Sequence, residues 1–172
     1  MRVLFLDRDG IINKDFGHVG QLNRFSYTDD LFKNIKLSLG ADVSIIIVTN
    51  QAGIAKDLYT WEQHRQIEEK IRNDFAKHEL KLLDYLFCPH HPEGVISIYR
   101  KTCLCRKPEP GMLNLARLKF NIDMSASVLI GDKSTDITAG IRAGVGANLL
   151  VEKDNAIAIN KAFMDAANHL KI

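Results

Sequence analysis

The sequence predicts an α/β domain built on a mostly parallel sheet with helices on both faces. Short apolar runs alternate with segments of helical period, and that order is the pattern of βα units. Most of the runs are nearly unbroken Val, Ile, Leu and Phe, as strands buried on both faces require. Strands are expected at residues 3–6, 43–48, 85–87, 128–130 and 148–151, with the weakest pattern at the third. The helices carry start and stop signals of their own. Thr28-Asp29-Asp30 can cap a helix whose apolar positions Leu31, Ile35 and Leu39 recur every four residues, and Gly40 suits its left-handed end. Thr60 with Gln63 reads as a capping box for a helix through about His78, with Ile67, Ile71 and Phe75 on one face. Pro110 stands at a first-turn position ahead of Met112, Leu115, Ala116 and Leu118. A shorter helix is expected over 135–143, closed by Gly144, and a last one over about 155–169.

Composition narrows the classes of function. The chain has 172 residues, which fits a single domain spanning 1–172. Its 23 basic residues nearly balance 21 acidic ones, with no block of like charge. A nucleic-acid or membrane-surface protein would show a basic patch or stripe, so neither partner is expected. No apolar run approaches a membrane span, and the N-terminal apolar stretch is too short for a secretory signal. A cytoplasmic protein with its three cysteines reduced is therefore expected, and a monomer, since no helical stripe demands a partner. The segments 10–27 and 88–109 lack period. Loops of that length are usually functional, and both are too short for a separate cap domain.

Chemistry-bearing residues gather at the predicted strand ends. Asp7 and Asp9 directly follow the first strand, where alternation along an extended backbone lets both carboxylates project to one side. Alone, Asp-Arg-Asp-Gly could equally be a polar turn. The second strand, however, runs into Thr49, the fourth into Gly131-Asp132-Lys133-Ser134-Thr135-Asp136, and Lys107 follows the long loop. In open α/β sheets ligands bind at this edge. Asp136 could partner Lys107 or simply supply negative charge to a helix start.

These four segments resemble the haloacid dehalogenase-like superfamily, whose members mostly transfer or hydrolyse phosphoryl groups through an aspartyl-phosphate. The resemblance implies a capless, Rossmann-like fold in which Asp7 is the nucleophile and Asp9 the general acid and later base. It implies further that Thr49 and Lys107 hold the phosphoryl oxygens, and that Asp7 and Asp132 bind Mg²⁺ with a backbone carbonyl such as that of Asp9. Ile11 departs from the Thr that often follows Asp-x-Asp-Gly. A carboxylate attacking an anionic phosphoryl group needs positive charge to neutralise both partners, which Mg²⁺ and Lys107 would supply.

Cys88, His90, Cys103 and Cys105 form Cys-x-His, twelve intervening residues, then Cys-x-Cys. Four such ligands in two pairs match a tetrahedral Zn²⁺, and a fully protein-ligated zinc is structural. His91 could take the place of His90. A zinc loop over 88–105 would hold Arg106 and Lys107 toward the strand ends.

With that loop included, the match narrows. Asp7-Arg8-Asp9-Gly10, Asn13, Asp15-x-Gly17, Thr49-Asn50-Gln51-x-Gly53-Ile54-Ala55, Cys88-Pro89-His90-His91-Pro92, Cys103-x-Cys105-Arg106-Lys107-Pro108-x-Pro110-Gly111-Met112 and Gly131-Asp132-Lys133 all resemble the D-glycero-D-manno-heptose 1,7-bisphosphate 7-phosphatase family. That family implies a small sugar bisphosphate substrate, Mg²⁺ with structural zinc, and a place in nucleotide-activated heptose synthesis for lipopolysaccharide or other glycans. It puts Asp15, Phe16, Gly17 and His18 in a substrate flap and Asn50 and Gln51 in the phosphate loop, with Arg106 recognising substrate and Lys133 touching the transferring phosphate. His18 stands where Tyr is frequent, and Ala52 where Ser is. Histidinol-phosphate phosphatase shares the fold, the aspartate pair and the zinc loop; a zinc-stabilised binding module without catalysis is the reading of another class.

Overall fold

A computed structural model describes residues 1–40 and 42–171. Five strands form one sheet: β1 Leu4–Leu6, β2 Ser44–Asn50, β3 Lys81–Cys88, β4 Val128–Gly131 and β5 Ala147–Leu150. Their order is β3-β2-β1-β4-β5, and every pairing is parallel. Five helices connect them: α1 Leu31–Leu39, α2 Trp61–Lys77, α3 Gly111–Phe120, α4 Ser134–Ala143 and α5 Ala156–Leu170.

Alternation along the central strands feeds two cores. Leu4, Leu6, Ile45, Ile47, Val128 and Ile130 pack under α1, α2 and α5, whereas Phe5, Ile46, Val48 and Leu129 pack under α3 and α4. Each fully buried Leu, Ile or Phe contributes on the order of 2 kcal/mol. The ends of β1, β2 and β4 are thus anchored by the best-buried part of the molecule. Chain order reverses beside β1, since β2 lies on one side and β4 on the other, and the crevice above such a switch point is where ligands bind. Ahead of α1 and α3, the segments that follow β1 and β3 hold only short 3₁₀ turns, at Leu22–Arg24 and Ser97–Tyr99, so no cap covers that crevice among the described residues.

Most expected boundaries lie within one or two residues of the observed ones. The third strand is the exception, running over Lys81–Cys88 rather than three residues. Its pattern is broken by Asp84, whose buried carboxylate is paired with Arg72 at 3.2 Å and Lys119 at 2.8 Å, and by a register shift opposite Ile45 and Ile46. The capping box of α2 is present, with the Thr60 hydroxyl accepting from Gln63 N and Gln63 Oε1 accepting from Thr60 N. The start of α1 differs: no side chain caps it, and the Thr28 hydroxyl instead donates to the Ile11 carbonyl at 2.7 Å. That bond ties α1 to the loop after β1. Pro110 sits one residue earlier than expected, at the N-cap of α3, and Gly144 closes α4 in the left-handed conformation.

Candidate active site

Asp7 leaves the end of β1 with its backbone N–H bonded to the Ile130 carbonyl, which places its carboxylate between the ends of β1 and β4. Lys107 reaches it from the loop before α3. Its ammonium, at the end of a side chain 2% exposed, lies 2.7 Å from Asp7 Oδ1, 2.6 Å from Asp136 Oδ1 and 2.7 Å from the Val48 carbonyl. Burial opposes the charge on Lys107, but Asp7 and Asp136 outweigh it and raise the lysine above its ordinary value. Burial likewise pushes the Asp7 carboxyl up to about 7, with Lys107 pulling the other way and Asp136 and Asp9 adding to the rise. Asn50 sets the height of the lysine: its amide both donates to the Lys107 carbonyl (2.9 Å) and accepts from the Lys107 N–H (3.0 Å).

Asp136 fills both roles left open by the sequence. It pairs with Lys107, and its Oδ2 accepts the Lys133 N–H at the start of α4. A Cβ on Gly131 would come 2.4 Å from that of Asp136, so only glycine lets the carboxylate lie this close to the strand end. Gly10, at φ +88°, makes the turn after Asp9, and a Cβ there would meet Asp132 Oδ2 at 2.9 Å.

Carboxylate oxygens of Asp7, Asp132 and Asp136 lie within 4.8 Å of one another, and Asp132 Oδ1 is buried without a hydrogen-bond partner. An orphaned buried carboxylate oxygen beside a second carboxylate suits a hard divalent cation such as Mg²⁺. The Asp9 side chain faces elsewhere. Its carboxylate accepts from Arg8, Asn13 and Gln51. Burial would raise Asp9, but these donors, Arg8 foremost, hold it below the ordinary carboxylate range.

Cys88, His90, Cys103 and Cys105 converge as their spacing predicts. Sulfur-to-sulfur distances are 3.2 to 3.4 Å, and His90 Nδ1 lies 3.6 Å from Cys88 and 3.4 Å from Cys105. A tetrahedral zinc with bonds of about 2.3 Å to sulfur needs edges of roughly 3.8 Å, within a small adjustment of these. His90, and not His91, joins the three cysteines in one cluster, while His91 Nδ1 accepts the Glu93 N–H.

A pocket of about 360 Å³ opens above the strand ends, lined by Asp9, Asp15, His18, Arg106, Lys107 and Lys133 among others. A larger hollow of about 470 Å³ beside Met1, Leu39, Val43 and Leu170 lies at the opposite edge of the sheet, away from every strand-end carboxylate. Asp15 anchors the flap: it accepts the Gly17 N–H at 2.9 Å, and its other oxygen lies 3.7 Å from Lys133 and 3.8 Å from Lys153. Phe16 is 57% exposed on the rim. Arg106 donates to the His90 carbonyl at 3.2 Å, which couples it to the cysteine cluster. Thr49 and Gln51 are each about 1% exposed, and the Gln51 amide is taken up by Thr49, Asp9 and the Tyr59 hydroxyl.

Sequence reading missed Arg8, Tyr59 and His64, which lie behind Asp9. His64 is fully buried against Tyr85 and Phe87, neither ring nitrogen has a partner, and burial with the Arg8 charge lowers it to about 3. Unfolded, it takes up a proton near 6.5, so the stability present above that pH is lost as pH falls toward 3. At about 1.4 kcal/mol per pH unit, the parent should lose about 2 kcal/mol more than His64→Phe between pH 7 and pH 5 in urea unfolding. Asp7, shifted upward, acts with the opposite sign in both chains and cancels in the comparison. Parallel losses would show that His64 is not held neutral.

The HAD-hydrolase-like family model matches residues 104–157. The chain is 40% identical over 171 residues to the D-glycero-alpha-D-manno-heptose-1,7-bisphosphate 7-phosphatase of Photorhabdus laumondii, covering 95% of this chain and 93% of that protein. It is 38% identical over 154 residues to the beta-anomer 7-phosphatase of Escherichia coli strain K12, covering 90% and 81%. Among solved structures, the D,D-heptose 1,7-bisphosphate phosphatase of B. bronchiseptica, complexed with magnesium and phosphate, superposes with a TM-score of 0.78 at 25% identity, covering 94% of this chain and 87% of that one.

Proposed function

The chain belongs to the heptose 1,7-bisphosphate 7-phosphatase family of haloacid dehalogenase-like hydrolases, and on that premise we propose that residues 1–172 form one phosphatase domain that removes the 7-phosphate of D-glycero-D-manno-heptose 1,7-bisphosphate. The observation that carries this reading is the buried Lys107 ammonium 2.7 Å from Asp7 at the mouth of the crevice. It brings a nucleophilic carboxylate and the charge that permits attack on an anionic phosphoryl group into one place.

Asp7 attacks phosphorus, the bond from phosphorus to the C7 oxygen breaks, and that oxygen takes a proton from Asp9, which Arg8 and its other donors hold ionised in the free chain and which must therefore gain that proton as the anionic substrate enters. Water then attacks the phosphorus of the aspartyl-phosphate and gives a proton back to Asp9, which frees Asp7 and releases inorganic phosphate. Each turnover thus returns Asp9 to its acid form. Lys107 and Thr49 hold phosphoryl oxygens, and Lys133, 55% exposed at its side chain, reaches the same group from the far side of Asp132. Bound Mg²⁺, with Asp7, Asp132 and the Asp9 backbone carbonyl as its ligands, supplies charge neutralisation at the phosphoryl oxygens. Asn50 serves by clamping Lys107. A structural zinc on Cys88, His90, Cys103 and Cys105 fixes the loop that ends at Arg106.

With no cap among the described residues to close over the sugar, selectivity rests on the flap of Asp15, Phe16, Gly17 and His18 and on Arg106, whose guanidinium suits bidentate contact with the second phosphate. Basic charge gathers there: His91 feels Arg106, Lys56 and His18, which with burial lower it. The deciding assay measures phosphate release from both anomers of the bisphosphate, from histidinol phosphate and from p-nitrophenyl phosphate, with and without Mg²⁺. The expected outcome is Mg²⁺-dependent turnover preferring a heptose bisphosphate, with Arg106→Ala raising KM for it more than for p-nitrophenyl phosphate. Preference for histidinol phosphate would overturn the substrate assignment, and no release from any substrate would overturn the activity.

A further inference from the structure

Arg8 is fully buried, an uncommon place for a guanidinium. One terminal nitrogen donates to both oxygens of Asp9, at 2.7 and 2.9 Å, and also to the Val19 carbonyl of the flap. Its Nε lies 3.3 Å from Asp9 Oδ1. On the other side of the carboxylate, Gln51 Nε2 donates to Asp9 Oδ2 at 2.9 Å. The Asp9 carboxylate, which can only accept, fixes the orientation of that amide: the NH₂ end faces Asp9 and Thr49, and Gln51 Oε1 is left to accept from the Tyr59 hydroxyl at 2.6 Å. Asp9 itself keeps 14% of its side chain exposed, toward the pocket.

A buried ion pair is a poor source of stability, since well-packed apolar side chains usually serve as well or better. What a guanidinium fork does that an apolar group cannot is fix both oxygens of a carboxylate at once. We propose that Arg8 and Gln51 are positioning residues that clamp the Asp9 carboxylate in the single orientation from which it serves the leaving oxygen and then the attacking water. The inference rests on the phosphatase reading, and it assigns to these two side chains a role exerted only through Asp9.

Leaving-group dependence tests it. A sugar alkoxide needs a proton as it departs, whereas p-nitrophenolate leaves without one, so a misplaced Asp9 harms the first far more than the second. Arg8→Lys keeps the charge and loses the fork. Its kcat/KM, which stops at aspartyl-phosphate formation and so leaves out the water attack that both substrates share, should fall about 10- to 100-fold more on heptose bisphosphate than on p-nitrophenyl phosphate, within the 10²- to 10⁴-fold span of general acid–base catalysis. In an Asp9→Asn background the same substitution should cost nothing further. Equal losses on the two substrates, or an undiminished loss in the Asp9→Asn background, overturns the proposal and leaves Arg8 a packing residue. Should Arg8→Lys fail to fold, Gln51→Leu removes a neutral donor and leaves the buried cation paired, and it must show the same bias; an equal loss there overturns the clamp. A parent chain inactive on both substrates would instead mean that the phosphatase reading itself has failed.

Discussion

Asp7→Asn is expected to silence phosphate release by roughly 10⁴- to 10⁶-fold, the scale on which removal of a covalent nucleophile is felt. The substitution keeps the shape of the side chain, and the chain should still fold. Lys107 retains Asp136 at 2.6 Å and the Val48 carbonyl at 2.7 Å, so no buried charge is stranded. Three carboxylates within 4.8 Å become two, and a group that burial pushes up to about 7 is replaced by a neutral one. The thermal unfolding temperature of the metal-free chain should therefore match the parent's or exceed it, as is common where a site is built against stability. Phosphate release and thermal unfolding measured on the same preparation check both halves. Turnover within tenfold of the parent would remove the nucleophile from the scheme. A collapse in unfolding temperature would show that Asp7 is needed to hold Lys107.

The residues of this site were legible to different depths for physical reasons. Strands buried on both faces leave unbroken apolar runs, so the ends of β1, β2 and β4 could be located, and with them Asp7, Thr49 and Asp132. The extent of β3 could not, because Asp84 in its middle is satisfied by Arg72 and Lys119, which lie 12 residues before it and 35 after it. Thr28 read as a helix cap because its hydroxyl has two possible partners, and only the fold decides that the Ile11 carbonyl wins. Arg8 stayed invisible for a related reason. An arginine between two aspartates reads as solvated charge, and its burial follows from Tyr85 and Val19, which are brought to it by other elements. Tyr59 and His64 read as members of a loop and a helix face, yet they form the wall behind Asp9. The cysteine cluster was the opposite case: its ligand types and paired spacing carry their own geometry, and between His90 and His91 it is His90 whose Nδ1 lies 3.6 and 3.4 Å from Cys88 and Cys105.

Loss of zinc should disable the enzyme without dismantling the sheet. Cys103 and Cys105 end two residues before Lys107, whose backbone is otherwise held by the Asn50 amide alone among side chains of the described residues. Cys103→Ala opens the tetrahedral set, and the loop loses one of its two anchors. A displacement of about 1 Å at a catalytic group can cost on the order of 10²-fold in rate, so kcat should fall by at least that much. One core lies wholly clear of the loop and the other meets it only through Cys88, Cys103 and Cys105, so far-ultraviolet circular dichroism should hold near the parent spectrum. Burial raises the Cys88 thiol above its ordinary value, so zinc binding must expel a proton held tightly there, and metal affinity should weaken as pH falls. The parent chain should therefore contain about one zinc, shed it to a chelator more readily at pH 6 than at pH 8, and regain activity when zinc is returned. Chelator-stripped protein that retains full kcat would detach the cysteine cluster from catalysis and leave Asn50 as the sole positioning contact of Lys107.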